Sequence, residues 1–318
     1  MPSIKLHDNA SIISAVPALL GFTPRDSIIL MLLKEGDTND TLSHLLRFDI
    51  DTAAAANVTT AAAPVFHGAT AAVLIAVCGD WNTDRAAETL DVLRDQLADI
   101  DLPAVRRLIT PDIDQPGAWT DIDTGEHGPL TPYRDSIFAA NRVYHGADVT
   151  ADRADIVAEF TTPITNPVPV IPKHPVSYLA DTFDTIAAII SGTAHPATHP
   201  DLATRAGILL THSLDMRDAM LLLCIDHPEQ AADLWARIAN QLTGPARIEA
   251  LTISGACHYA AADTVRAGIA LDVAAQDALT AHIDYPRLAQ LLLTALSAGI
   301  SPTEIREFLS SVNLHAED

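Results

Sequence analysis

The sequence predicts an α/β domain followed by an all-α domain. In the first half, continuous apolar runs of strand length alternate with segments whose apolar residues recur at helical spacing. From residue 176 onward, only the helical spacing recurs. Between the halves, five prolines fall within 13 residues, a density that extends the backbone and interrupts helices. We therefore expect an α/β domain at 1–162, a Pro-rich linker at 163–175 and a helical domain at 176–318.

The first elements of the chain are predicted to be a helix and a β-hairpin. Apolar spacing predicts a helix over 9–20, which Pro17 is expected to kink or divide and which Gly21 ends. Residues 27–33 form a continuous apolar run, typical of a strand that is covered on both faces. Residues 42–50 alternate in polarity, and a polar turn separates the two segments, so they are expected to pair antiparallel.

The elements that follow complete a mixed sheet. They are an Ala-rich helix at 53–63, a strand at 71–78, a helix at 84–98, a strand at 105–110, a loop at 111–132 and two helices near 134–145 and 151–160. The second hairpin strand and the two later strands form two β-α-β units. Because such crossovers are right-handed, these three strands should run parallel.

The second half contains short amphipathic helices. Ser301-Pro302-Thr303-Glu304 has the pattern of a capping box with proline at the first helical position. Residues 245–262, 264–281 and 286–298 predict three consecutive helices joined by short turns. Their small residues permit close packing, so the domain is expected to be tetratricopeptide-like, although no clean 34-residue repeat recurs. Stacked helix pairs of this kind offer concave surfaces to partners, whereas a closed bundle has none.

The chain is acidic because it lacks basic residues. It has 41 acidic and 19 basic side chains and a net charge of −22, whereas an average chain of this length has roughly 40 of each. Only three of the basic residues are lysines, and alanine is abundant, which indicates a genome-composition bias. No basic run is present that could neutralise nucleic-acid phosphates or attach the chain to an anionic membrane. We therefore expect neither nucleic acid nor a membrane as partner.

The remaining composition predicts a cytoplasmic protein. The N-terminal residues do not have the pattern of a signal peptide, and no apolar run approaches the roughly 20 residues of a membrane span. The three cysteines are far apart and odd in number, which excludes a disulfide framework and a CxxC metal site.

The segment AVPALLGFTPRDSII at 15–29 resembles the N-terminal signature of an actinobacterial family called domain of unknown function 4192. In that signature, AVPxLLGFxPxDSLVV precedes an RxD strand, which Arg47 and Asp49 supply here. Segments of the second half that include Arg217-Asp218-Ala219 and Gly244-Pro245-Ala246-Arg247 also resemble the family. The resemblance spans nearly the whole chain and implies an α/β front, a helical rear and no assigned activity.

The predicted topology gathers polar residues at one edge of the sheet. Ligands of open α/β sheets bind beyond the carboxyl ends of the parallel strands, and the amino end of the antiparallel strand at 27–33 should lie at the same edge. The candidate ligand-binding residues are Phe22, Arg25, Asp26, Ser27, Arg47, Asp49, Asp80, Asp112 and Trp119. Their carboxylates could hold Mg²⁺, Ca²⁺ or a polar small molecule. Alternatively, the aspartates cap turns and Arg47 forms a structural ion pair with Asp49. No cofactor, metal ligand or catalytic residue is assigned.

Catalytic motifs are absent from the sequence. No GxSxG, GxGxxG, HExxH or Walker lysine occurs. His195 and His199 are each followed by proline, and Cys78 ends an apolar strand, so a packed or solvated role is expected for all three. Family members usually carry a cysteine after the counterpart of Trp119, and this chain does not, so a metal or redox role for that loop is not supported.

Three hypotheses of function follow, and whether the protein is an enzyme stays open. We favour a ligand-sensing or protein-interaction and regulatory module, in which the helical domain binds a protein partner. The second hypothesis is a metal-assisted hydrolase with a carboxylate-lined site at the sheet edge. The third is a scaffold that forms oligomers through an apolar helical face, although the sequence does not reveal the oligomeric state.

Overall fold

The computed structural model describes residues 8–36, 40–55, 57–144, 149, 152–161, 175–223 and 225–311. The chain divides into two compact units, residues 1–153 and 154–318. The division falls after the first residue of a helix at Arg153–Thr161, a stretch that the sequence predicts to belong to the first domain. Of the predicted linker at 163–175, only Pro175 lies within the described residues, where it begins a helix.

The first unit is the predicted mixed sheet with helices. Its elements are α1 (Asn9–Leu20), β1 (Ser27–Lys34), β2 (Thr41–Asp49), α2 (Ile50–Ala55), α3 (Val58–Ala61), β3 (Ala71–Val77), α4 (Thr83–Ala98), β4 (Ala104–Thr110), β5 (Gly117–Asp121), β6 (His127–Leu130) and α5 (Ile137–Tyr144). The six strands lie in the order β2-β1-β3-β4-β5-β6. The fold class of this half is thus confirmed.

The register of the strands defines the sheet edge at which the candidate residues lie. Strand β1 is antiparallel to both β2 and β3, and β3 is parallel to β4, so β2, β3 and β4 run in one direction as predicted. Ser27 pairs with Asp49 on one side and with Val77 on the other, and Val77 pairs with Thr110. The start of β1 and the ends of the three parallel strands therefore lie at the same edge.

Three local predictions in the first unit differ from the structure. The Ala-rich stretch predicted as one helix at 53–63 covers the end of α2 and all of α3, and the extended backbone of Asn57 begins α3. Helix α1 is not divided at Pro17, whose carbonyl accepts a hydrogen bond from the N–H of Gly21 at 2.8 Å. Gly21 ends the helix as predicted, with the left-handed φ of 80° common at helix ends.

Residues 111–132 are not only a loop, because β5 and β6 form a hairpin there. Their pairing places Trp119 opposite Gly128, where a Cβ would lie 3.0 Å from the indole. This close fit depends on a distant residue, so a local pattern does not reveal it.

A buried arginine ties the sheet to its surroundings. Arg107 of β4 is almost fully buried and donates hydrogen bonds to the carboxylates of Asp91 on α4 and Asp123 in the β5–β6 turn. The hydrogen bond from Arg107 is the main cause that lowers the pKa of Asp123 below its usual range. Because a buried guanidinium is costly without partners, these ion pairs stabilise the packing of three elements.

The second unit is entirely helical in its described residues. Its elements are α6 (Arg153–Thr161), α7 (Pro175–Ile190), α8 (Leu202–His212), α9 (Leu214–Leu222), α10 (Pro228–Ala239), α11 (Gly244–Ala260), α12 (Thr264–Ala281), α13 (Arg287–Ser297) and α14 (Pro302–Ser311). The capping box is present, since Ser301 and Glu304 each bond the other's backbone N–H. The all-α class is confirmed, and the tetratricopeptide likeness stays a prediction. None of the described helices combines the length and apolar character needed to cross a membrane.

Helix α11 is the core of this unit. Every side chain from 250 to 260 is buried, and α12 packs closely against it at Gly255, where a Cβ would lie 2.8 Å from Leu271 Cγ. Helix α6 is fastened to the same core, because Arg247 donates to the Phe160 carbonyl at 2.6 Å and Asn240 donates to the Glu159 carbonyl at 2.6 Å.

We predict that Asp123→Ala lowers the free energy of unfolding by about 1–3 kcal/mol, because Arg107 loses a charge-assisted partner in a buried position. Asp95→Ala is the matched control: Asp95 pairs with Arg94 at an exposed position, so its loss should change stability by less than about 0.5 kcal/mol. Both are measured by urea denaturation at neutral pH. Equal effects of the two substitutions would contradict the role of Arg107.

The Arg107–Asp123 ion pair also predicts that the free energy of unfolding depends on pH. Since the pKa of Asp123 is lowered in the folded state, its contribution is complete above the ordinary Asp value of about 3.9 and is lost as the pH falls through the folded-state value. The stability difference between the wild type and Asp123→Ala should therefore be constant above that value and shrink below it.

The close packing of α11 against α12 predicts that a Gly→Ala substitution changes stability differently at two positions. Gly268→Ala in α12 meets no atom within 4 Å and should raise stability by about 0.5–1 kcal/mol through helix propensity. The free energy of unfolding of Gly255→Ala should be lower than that of Gly268→Ala by at least about 1 kcal/mol, because the added methyl group overpacks against Leu271. Thermal unfolding of both variants measures the difference, and equal gains would contradict the close approach.

Candidate functional site

At the predicted sheet edge, Ser27, Arg47 and Asp49 form a connected network. The buried Ser27 hydroxyl donates to the Arg25 carbonyl at 2.6 Å and accepts from Arg47 Nε at 2.9 Å. Arg47 also reaches Asp49 Oδ1 at 2.6 Å. Residues 47 and 49 lie on the same face of β2, because side chains of a strand alternate. This network joins the end of β2 to the start of β1.

A second contact at this edge involves Arg25 and Asp112. The exposed Arg25 lies 4.0 Å from Asp112 Oδ2, and Asp112 Oδ1 accepts the backbone N–H of Asp114 at 2.6 Å. The second bond is the side-chain turn that aspartate forms after a strand. Asp112 is therefore engaged mainly by its own loop.

Asp26 and Asp80 lie near the thiol of Cys78. Asp26 has a left-handed backbone with φ 43°, a conformation that aspartate tolerates better than most residues. Burial raises the pKa of the Cys78 thiol, the carboxylates of Asp26 and Asp80 add to the rise, and a hydrogen bond with Thr83 opposes it. A buried thiol with a raised pKa is a poor nucleophile.

The two aromatic candidates have packing roles. Phe22 is almost fully buried, and Trp119 is half-buried and lies against Gly128. The strand ends thus meet at one edge as expected, but Asp49 and Asp112 are held by arginines and a turn. Within the described ranges, no group of three or more His, Cys, Asp or Glu side chains could hold a metal ion. This geometry favours a structural role for the predicted residues.

The second unit contains a cavity that is open to the surface, which we call the helical groove. It is a cavity of about 310 Å³ between α9, α11, α13 and α14. It is lined by Leu214, Arg217, Asp218, Leu221, Leu222, Glu249, Pro286, Arg287, Leu288, Leu291, Phe308 and Leu309. Three of these apolar side chains are largely exposed: Leu214 at 65%, Leu291 at 52% and Phe308 at 52%. The groove thus has apolar walls that continue onto the surface.

Charged groups form one wall of the groove. Arg217 is buried and donates through Nε and Nη2 to Asp218 Oδ1 at 2.9 and 2.7 Å. Its Nη1 lies 3.6 Å from Glu249 Oε2. That oxygen is buried and has no hydrogen-bond partner in the described part of the chain. Burial raises the pKa of Glu249, Arg217 opposes the rise and Asp218 adds to it.

A second cavity in this unit, of about 690 Å³, lies beside α7 and α9. It is lined by Phe183, Ala187, Ala188, Ile190, Ser191, Ala219, Leu222, Leu223, Asp226 and His227. Its walls are more evenly divided between polar and apolar surface than those of the helical groove. It therefore offers less apolar surface than the helical groove.

Sequence reasoning did not single out the groove. Arg217 and Asp218 lie in a segment that carries the family resemblance, and no motif includes Glu249. One signal was present: Glu249 is the single acidic residue of α11 and lies between the apolar Ile248 and Ala250. The exposure of Leu291 and Phe308 could not be foreseen, because their helices have an ordinary amphipathic pattern.

The comparison with protein families agrees with the signature at 15–29. A family model described as Domain of unknown function (DUF4192) matches residues 10–303. No curated protein matches the chain. No solved structure matches it either.

We predict that Cys78 resists thiol reagents in the folded protein, because it is 2% exposed and its raised pKa leaves little thiolate. Iodoacetamide labelling at pH 8, followed by peptide mass spectrometry, should show at least about tenfold slower modification than in urea, since access requires unfolding. Cys224→Ser provides a background without the third cysteine. Labelling of native Cys78 at the unfolded rate would contradict the burial.

Proposed function

The chain belongs to the family of the domain of unknown function 4192, and we propose that its second unit is a protein-interaction module that binds an apolar partner segment in the helical groove. The observation that carries this proposal is the cavity between four helices, whose apolar walls continue outward through Leu214, Leu291 and Phe308. Exposed apolar patches around a concave surface are typical of interaction sites.

The shape of the groove supports a peptide segment over a compact small molecule. The cavity is at the lower end of the roughly 300–1,000 Å³ of ligand pockets, and the three exposed side chains extend the apolar surface beyond it. An amphipathic helix that lays apolar side chains into a groove uses both parts. Burial of large side chains in such a pocket supplies most of the binding energy of an interface.

The alternatives have less support. In the hydrolase hypothesis, the carboxylates at the sheet edge bind a metal, but Asp49 and Asp112 are engaged by Arg47, Arg25 and a turn. The scaffold hypothesis uses the same apolar helical face as the partner hypothesis but covers it with a second copy of the chain. Self-association dependent on the groove would distinguish these two hypotheses.

We predict that a random peptide display library selected against the full chain yields peptides whose binding is lost in Leu291→Asp and Phe308→Asp. A charge at either position would be desolvated by the bound segment, which should weaken binding by about tenfold or more. The matched control is Leu279→Asp on α12, because Leu279 is 70% exposed and does not line the groove. Circular dichroism and thermal unfolding verify that all three variants fold.

Two results would overturn this proposal. The first is a failure to select any peptide that depends on Leu291 and Phe308 more than on Leu279. The second is sedimentation showing that the chain alone forms an oligomer that Leu291→Asp and Phe308→Asp dissociate, since a second copy would then occupy the groove.

A further inference from the structure

The charged wall of the helical groove has more carboxylates than cations. Arg217 is the buried cation, whereas Asp218 and Glu249 supply two carboxylates. Arg217 directs two of its nitrogens to Asp218, and the third lies 3.6 Å from Glu249, beyond ordinary hydrogen-bond length. The buried Glu249 Oε2 therefore lacks a donor within the described residues.

A buried carboxylate oxygen without a donor is unfavourable, because it is desolvated and no hydrogen bond compensates for the lost water. Burial accordingly raises the pKa of Glu249. A cationic group that enters the groove would supply the missing hydrogen bond and neutralise the excess carboxylate. The apolar walls would meanwhile cover the aliphatic stem of that group.

We propose that the segment bound in the helical groove carries a lysine or arginine between its apolar residues, and that this cation pairs with Glu249. This inference rests on the proposed function of the groove and names the chemistry of its partner. The partner is thus a basic amphipathic segment of another protein.

The charge of the whole chain supports the same choice. A net charge of −22 attracts a basic segment and accelerates its encounter with the protein. Arg287 also lines the groove, but it is exposed, so solvent and salt screen its repulsion of an incoming cation. Glu249 is only partly exposed and its Oε2 is buried, so its charge is screened less than that of Arg287 and determines the preference.

The test uses the peptides selected on the groove. We expect lysine or arginine at a fixed position between apolar residues, and an affinity that falls about tenfold or more in Glu249→Gln, since a charge-assisted hydrogen bond is lost. Replacement of that lysine by methionine should weaken binding to the wild type and leave the affinity for Glu249→Gln within about twofold, as a double-mutant cycle requires for a direct pair.

Glu229→Gln is the matched control, because it removes the same charge at an exposed position of α10 that does not line the groove. An equal loss of affinity in Glu229→Gln and Glu249→Gln would overturn the inference, because only the global charge would then matter. Selection of groove-dependent peptides without a preferred cation would also overturn the inference. The proposed function of the groove would then still stand. Binding of hexylamine that depends on Glu249, with no peptide selected, would overturn both and indicate a small amphipathic amine.

Discussion

Burial of strand β1 on both faces is the constraint on which the first unit depends. Its residues from Ser27 to Leu32 are almost inaccessible to solvent, so β2 and β3 must flank it and helices must cover it. Antiparallel pairing on both sides then places the amino end of β1 beside the carboxyl ends of β2 and β3. The polar residues at the sheet edge meet because of this arrangement.

Helix α11 imposes a similar constraint on the second unit. Because its residues from 250 to 260 are buried, several helices must surround it, and small residues such as Gly255 let α12 approach closely. Glu249 lies just before this buried segment, where α9, α13 and α14 leave the groove open. The single acidic residue of α11 thus becomes part of the charged wall of the groove.

Several of the few arginines pair with carboxylates. Arg47, Arg107 and Arg217 are each paired with carboxylates, and two of them connect different elements of the fold. Arg266 likewise joins α12 to α6 through Glu159, at 2.7 and 2.8 Å. Arginine suits these positions because its planar guanidinium binds two or more acceptors at once. The acidic surplus that remains gives the chain its negative charge.

The sequence by itself determined the family, the division into an α/β half and a helical half, and the first four strands. The apolar runs at 27–33 and 71–78, the helical spacing after residue 176 and the signature at 15–29 are local patterns, and local patterns record which residues must be buried. The parallel direction of the strands followed from the helical crossovers that connect them. These features also predicted that Asp26, Asp49, Asp80 and Asp112 approach one sheet edge.

Only the tertiary structure decided what those residues do. The partners of Asp49 and Asp112, the contact of Trp119 with Gly128 and the open face around Glu249 arise between segments distant in the chain. Such contacts depend on the packing of helices and strands in three dimensions, which periodicity does not encode. A sequence pattern specifies that a side chain faces inward, but the neighbouring elements determine whether it meets a partner, a filled core or a groove.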